Sequence, residues 1–292
     1  MLSIISPAKT QDFTSQIVGL PSVYSNDLEN WNVKQGVSER NVQLVREHAE
    51  TPKFCGANSS KQKSMQPHFF TKTQVLLQIC KNLSQNQIKQ LMGVSDKLAE
   101  LNYHRFQDFD NQPQKQAIFA YDGDVYNNID RRNFTAEQWD FLQGHTLIIS
   151  GLYGALRVFE KIKPYRLEMS TKLPNFEKLS NFWQNDITNY INQILATHQN
   201  KYLINLASNE YSCVINQNDL KYPVINIYFK ERRNNKLQII AINSKKARGS
   251  MFNFIAENLI DLPEKLKHFS KQNYQYSETE SSNNDWIFVK NA

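Results

Sequence analysis

The stretch that most constrains the fold is Leu147-Ile148-Ile149 running directly into Ser150-Gly151-Leu152-Tyr153-Gly154-Ala155-Leu156-Arg157. A short, uninterrupted apolar run bounded by turn residues reads as a buried strand. The glycines then turn the chain sharply, and without a Cβ they let main-chain N–H groups come close to an anion. A helix starting just beyond them would add the positive end of its dipole, and Arg157 adds a cation, a combination that suits phosphate. The plainer alternative is a tight turn that binds nothing.

Around this stretch, helical and strand periodicities alternate. Leu2 to Ser6 reads as a strand, and Val75, Leu76, Ile79, Cys80 and Leu83 recur at helical spacing. Ser84 with Gln87 forms a capping box ahead of Ile88, Leu91 and Met92, and Ser95 is placed to cap a helix through Leu98 and Leu101. Thr135 with Gln138 forms a second box. Phe134 and Trp139 occupy its hydrophobic-staple positions, so a helix is predicted from about Ala136 to Gln143, followed by a strand from Thr146 to Ile149. An amphipathic helix through Ile187, Tyr190, Ile191, Ile194 and Leu195 leads to a strand from Tyr202 to Leu206. Val224 to Phe229 and Leu237 to Ile242, separated by Asn234 and Asn235, read as an antiparallel hairpin, and Trp286 to Val289 as a last strand. With 292 residues and 40% hydrophobic content the chain can bury a full core. The expectation is one α/β (mixed α+β) domain over 1–292, a central mixed sheet flanked by helices. The polar stretch from about 34 to 66, with a short helix around Val42 to Ala49, reads as a surface insertion.

Short words dense in charge and tyrosine punctuate these elements: SPAKT near the start, SDKLAELNYHRF, GDVY, SGLYGALRV, PYRLEM, NLASNEY and KKARG, in that order. Taken together they resemble the peroxide stress protein YaaA family along nearly the whole chain. The resemblance implies a cytoplasmic bacterial protein that limits damage under hydrogen peroxide by keeping unincorporated iron low. It also implies DNA binding through a helix-hairpin-helix-like element. The glycines at 151–154 are the place for such a turn here, although they stand one residue wider than the usual GxG and follow a strand.

The islands also carry their own chemistry. Lys245, Lys246 and Arg248 precede a helical pattern through Met251, Phe252, Ile255 and Leu259, so three cations crowd what reads as a helix start. Cations there oppose the macrodipole by about 0.3–1 kcal/mol each, a cost that a bound phosphate reverses and that solvation lessens. After Pro164 the chain should run extended, placing Arg166 and Glu168 on one face as a structural ion pair or as the heart of a site. Tyr165 beside them, like Tyr153, offers a ring on which a base can stack. Lys9 follows the first strand, where α/β sheets present ligand-contacting loops, but lacks the glycines of a P-loop. Lys97 adds a cation; Asp96, Asp124 and Glu210 add carboxylates at turns and strand ends.

Other chemistries find less support. The histidines show no HxH or HExxH and the three cysteines no CxxC, so neither a metal site nor a cofactor is expected. No GxSxG and no cysteine with a local partner supports covalent catalysis. The net charge of +6 favours a polyanionic partner, and no apolar run approaches a membrane span. The expected partner is double-stranded or junction DNA, gripped through its phosphates without reading bases, with no membrane and no stable protein partner. Two other classes stay open. One is an enzyme acting on a nucleotide or nucleic-acid base, with Glu168 as acid or base. The other is a purely structural binding protein, which would show no concentrated basic cleft.

Overall fold

The computed structural model describes residues 1–17 and 65–291. The expected insertion, apart from its last two residues, lies outside the described residues, as do Cys55, His48 and the helix placed around 42–49. In chain order the elements are β1 (Leu2–Ile5), β2 (Thr10–Gln11), α1 (Phe70–Lys81), α2 (Gln85–Met92), α3 (Asp96–Gln107), β3 (Lys115–Gln116), α4 (Ala117–Ala120) and β4 (Tyr121–Asp122). Then come α5 (Ala136–His145), β5 (Thr146–Ser150), β6 (Gly154–Leu156), β7 (Lys161–Ile162), α6 (Leu179–Thr197), β8 (Leu203–Asn205) and α7 (Asn209–Ser212). The last are β9 (Val224–Arg233), β10 (Lys236–Gln238), α8 (Ala241–Glu257), β11 (Gln275–Tyr276) and β12 (Asp285–Asn291). The fold is the expected mixed α/β architecture around one central mixed sheet.

That sheet runs β11-β12-β9-β8-β1-β5-β6, with β10 hydrogen-bonded to β9. Its five inner strands are parallel, and the outer β6, β10 and β11 pair antiparallel. Every residue of β1, β5 and β8 is buried, which is why these strands read as continuous apolar runs and not as alternating ones. From β1 the chain goes to β5 on one side, then crosses over to β8, β9 and β12 on the other. The carboxyl end of β1 is therefore a topological switch point, the crevice where open α/β sheets hold ligands.

Local sequence signals fix several boundaries. Both capping boxes form, Ser84 with Gln87 and Thr135 with Gln138, and the Phe134 and Trp139 rings meet edge to face at 5.1 Å. Asn234 and Asn235 take positive φ in the two-residue turn that joins Arg233 to Lys236, the geometry favoured for tight hairpins. Gly93 closes α2 in the left-handed conformation and leads through Val94 and Ser95 into α3.

Three expectations are corrected. No helix-hairpin-helix forms at the Gly151–Gly154 turn: β5 and β6 pair across it, Ser150 opposite Gly154, so the glycines close a β-hairpin. Trp183 explains part of this, since its indole N–H donates to Gly151 O at 2.9 Å and its ring would stand only 2.9 Å from a Cβ on Gly154. The second strand of the later hairpin stops at Gln238 and α8 begins at Ala241, so Ile242 is helical. As a result Lys245, Lys246 and Arg248 sit in the second turn of α8 and not at its first, where the dipole acts most strongly. Finally, Val75, Leu98 and Leu101 are exposed rather than in the core.

Candidate functional site

The loop after β1 carries Lys9 across the switch point to the extended segment 164–169. In that segment Tyr165, Leu167 and Met169 are buried while Arg166 and Glu168 face the other way, the two-residue period working as expected. Lys9 Nζ donates to Glu168 Oε2 at 2.8 Å, and Arg166 Nη2 donates to Glu168 Oε1 at 3.0 Å. One carboxylate thus gathers two cations. The second donor edge of Arg166 is left over: its Nε is buried with no partner in the protein.

Beneath this triad lies a floor of tyrosine and serine hydroxyls. Tyr165 OH is 2.6 Å from Ser150 Oγ and 2.7 Å from Tyr121 OH. Tyr126 OH donates to Ser6 O at 2.8 Å, and Ser6 Oγ accepts from the Ser208 N–H at 2.8 Å, which ties the β1 loop to the loop after β8. Burial pushes the Tyr165 hydroxyl up to about 12 and that of Tyr211 further still. Both hydroxyls stay neutral, and that of Tyr165 bonds to Ser150 and Tyr121. The close fit depends on Gly151, because a Cβ there would stand 2.3 Å from Leu167 O.

Helix α8 closes the adjoining side. Gly249 lets it press on Val125, with a Cβ again 2.3 Å from a carbonyl oxygen, and this brings Lys245 Nζ to 3.4 Å from Asp124 Oδ2. On the same helix, Ser244 Oγ next to Lys245 and Arg248 Nε about one turn further on are buried without protein partners. Arg248 shares an electrostatic neighbourhood with Tyr228 of β9, and Tyr228 with Asp285. Asp285 Oδ1 accepts from Asn226, whose Oδ1 accepts in turn from Asn205 at the carboxyl end of β8. The polar row therefore runs along the sheet to the loop that carries Ser208 and Glu210, where Glu210 Oε1 accepts from Ser170 at 3.0 Å.

Other residues singled out by sequence lie elsewhere or face inward. Ser150, Gly151, Tyr153 and Gly154 are buried, with Ser150 Oγ accepting from the Tyr153 N–H and Tyr153 OH accepting from the Lys163 N–H. Arg157 donates to the Gln143 and Gly144 carbonyls near the end of α5 and lies against the Tyr190 ring. Asp96 and Lys97 are exposed in the first turn of α3, where Asp96 pairs with Lys89. Lys246 is exposed on α8. Sequence reading missed Ser244, Tyr228 and Asp285, which no local pattern marks. It also missed His145, His198 and Asp261, which the fold brings together at the other end of the sheet.

Among the described residues, no helix is long and apolar enough to cross a membrane. The family model described as "Peroxide stress protein YaaA" matches residues 1–280. A UPF0246 protein of Rickettsia bellii is 58% identical over 224 residues, covering 77% of this chain and 90% of its own length. UPF0246 proteins of Rickettsia africae, at 57% with the same coverage, and of Rickettsia felis, at 56% over 75% of this chain and 88% of its own, are similar. With a match over nearly its full length, this chain belongs to the peroxide stress protein YaaA family.

Proposed function

We propose that the chain protects against peroxide stress by holding phosphate-bearing ligands, duplex or junction DNA foremost, in the hollow at the carboxyl end of β1, and that this contact helps limit iron-dependent oxidative damage. The observation that carries the reading is the pair of buried, unpartnered guanidinium N–H groups on Arg166 and Arg248. A buried donor without an acceptor costs about 1–3 kcal/mol, which a phosphate oxygen would offset with a charge-assisted bond. Lys9 beside Glu168 and Lys245 beside Asp124 add positive charge, and Lys246 adds another on the exposed side of α8. Lys97, exposed after the left-handed Gly93 turn, is a second point of phosphate contact. Such binding is salt-sensitive and independent of sequence. Equilibrium binding to a labelled duplex across a salt series tests it: affinity should fall steeply with salt, and Lys245→Glu with Arg248→Glu should weaken it. Affinity that is flat in salt, or that survives the double substitution, would overturn the reading.

A catalytic alternative rests on one specific feature, the clamping of Glu168 between Lys9 and Arg166, which fixes a carboxylate beside two phosphate-binding cations. In that reading Glu168 moves a proton on a nucleotide or base. Glu168→Gln separates the two: loss of a turnover with DNA binding intact supports chemistry, and loss of binding alone removes it.

A further inference from the structure

At the amino end of the parallel strands, away from the hollow, three residues distant in sequence converge. His145 ends α5 just before β5, His198 caps the end of α6, and Asp261 follows α8. One donor atom from each lies within 4.8 Å of the other two. His145 Nε2 is 3.7 Å from Asp261 Oδ1, and the two imidazole centroids are 4.5 Å apart.

The ring nitrogens are already sorted. His145 Nδ1 is 2.9 Å from Phe141 O, and His198 Nδ1 is 3.1 Å from Met1 O. A carbonyl can only accept, so both Nδ1 atoms carry the proton and both Nε2 atoms present a lone pair. His145, anchored to a backbone carbonyl through one nitrogen with the other turned toward a carboxylate, has the outer-shell support typical of a metal ligand, and His198 is anchored to a carbonyl in the same way. Asp261 is oriented too: Asn200 Nδ2 donates to its Oδ2 at 2.8 Å, while Oδ1 faces the histidines and the Met1 nitrogen.

We propose that His145 Nε2, His198 Nε2 and Asp261 Oδ1 bind a divalent first-row transition ion of the Fe2+, Co2+ or Zn2+ kind. Two imidazoles and one carboxylate suit this class better than the all-oxygen sets that hold Mg2+ or Ca2+. Bonds of about 2.0–2.2 Å place ligand atoms about 3–3.5 Å apart, so donors that now lie up to 4.8 Å apart need to close by as much as about 1.3–1.8 Å, through side-chain adjustment. His145 and Asp261 each keep 26% of their side-chain surface exposed, which gives a hydrated ion a way in and leaves positions for water. The ion takes over from the Met1 nitrogen as the cationic partner of Oδ1. This site is independent of the phosphate hollow, and neither depends on the other.

The test uses the full, tag-free chain, titrated with Co2+ by visible absorption and with Zn2+ by calorimetry. One equivalent should bind saturably. His198→Asn, which keeps a donor for Met1 O but deletes Nε2, should weaken binding by more than about ten-fold, the loss seen even when an outer-shell partner is removed. Asp261→Asn should do the same, and His268→Ala, at an exposed position, should change nothing. If Asp261→Asn fails to fold, His145→Asn takes its place by the same logic. Absence of a saturable equivalent, or unchanged affinity in a folded His198→Asn chain, overturns the site.

Discussion

Lys9 and Glu168 stand 159 residues apart in sequence and 2.8 Å apart in space. Glu168 also receives Arg166, so a single carboxylate decides where two cations point. It neutralises them at the same time, and these two effects act in opposite directions on an incoming phosphate.

Glu168→Gln separates the two effects. The ion pairs are partly exposed, so unfolding stability should move by no more than about 1 kcal/mol. If neutralisation dominates, removing a charge close to the phosphate is worth about 1 kcal/mol, roughly five-fold tighter DNA binding at low salt. Fluorescence anisotropy measures it. An equal loss of affinity would mean that Glu168 acts chiefly by positioning the cations.

Gly151→Ala should destabilise the chain, since the new methyl meets backbone on Leu167 with no flexible side chain to yield. Crowding of this kind costs about 1–3 kcal/mol, readable as a lower urea midpoint at unchanged slope. Because Leu167 lies between Arg166 and Glu168, DNA affinity should fall as well. A stability equal to the unsubstituted chain would show that the 151–154 hairpin is looser than its packing indicates.

The Glu160 carboxyl is buried, and burial pushes it up to about 7 against the opposing N–H donors of Arg157 and His68. A folded value above the unfolded one means that folding takes up a proton between about 4.5 and 7. The contribution of this group to stability is complete below pH 4.5 and is lost as pH rises through 7. The span corresponds to at most about 3 kcal/mol. Glu160→Gln should therefore gain on the native chain at pH 8 and not at pH 4.5. Equal differences at the two pH values would rule out titration at Glu160.

What sequence revealed followed the range of the forces involved. The boxes at Ser84 and Thr135 and the Asn234-Asn235 turn depend on neighbours within a few residues, so their spacing was enough to place them. The Gly151–Gly154 turn misled because its fate was decided from outside, by Trp183 and by pairing with β5. Arg166 and Glu168 shared a face, as the period of an extended chain requires, and Lys9 stood out by its place after the first strand, but its pairing with Glu168 spans 159 residues and no local pattern marks it. His145, His198 and Asp261 left no trace, because helix ends and strand starts, not spacing, bring them together.

Placing β1 at the middle of the sheet sets the timetable of synthesis. Its partners are β5 and β8, so the apolar Leu2–Ile5 segment cannot be covered on both edges until Asn205 has left the ribosome. At about 5–20 residues per second that is a wait on the order of 10–40 s. A segment wholly buried in the finished molecule is thus left without its partners for most of the time it is being made.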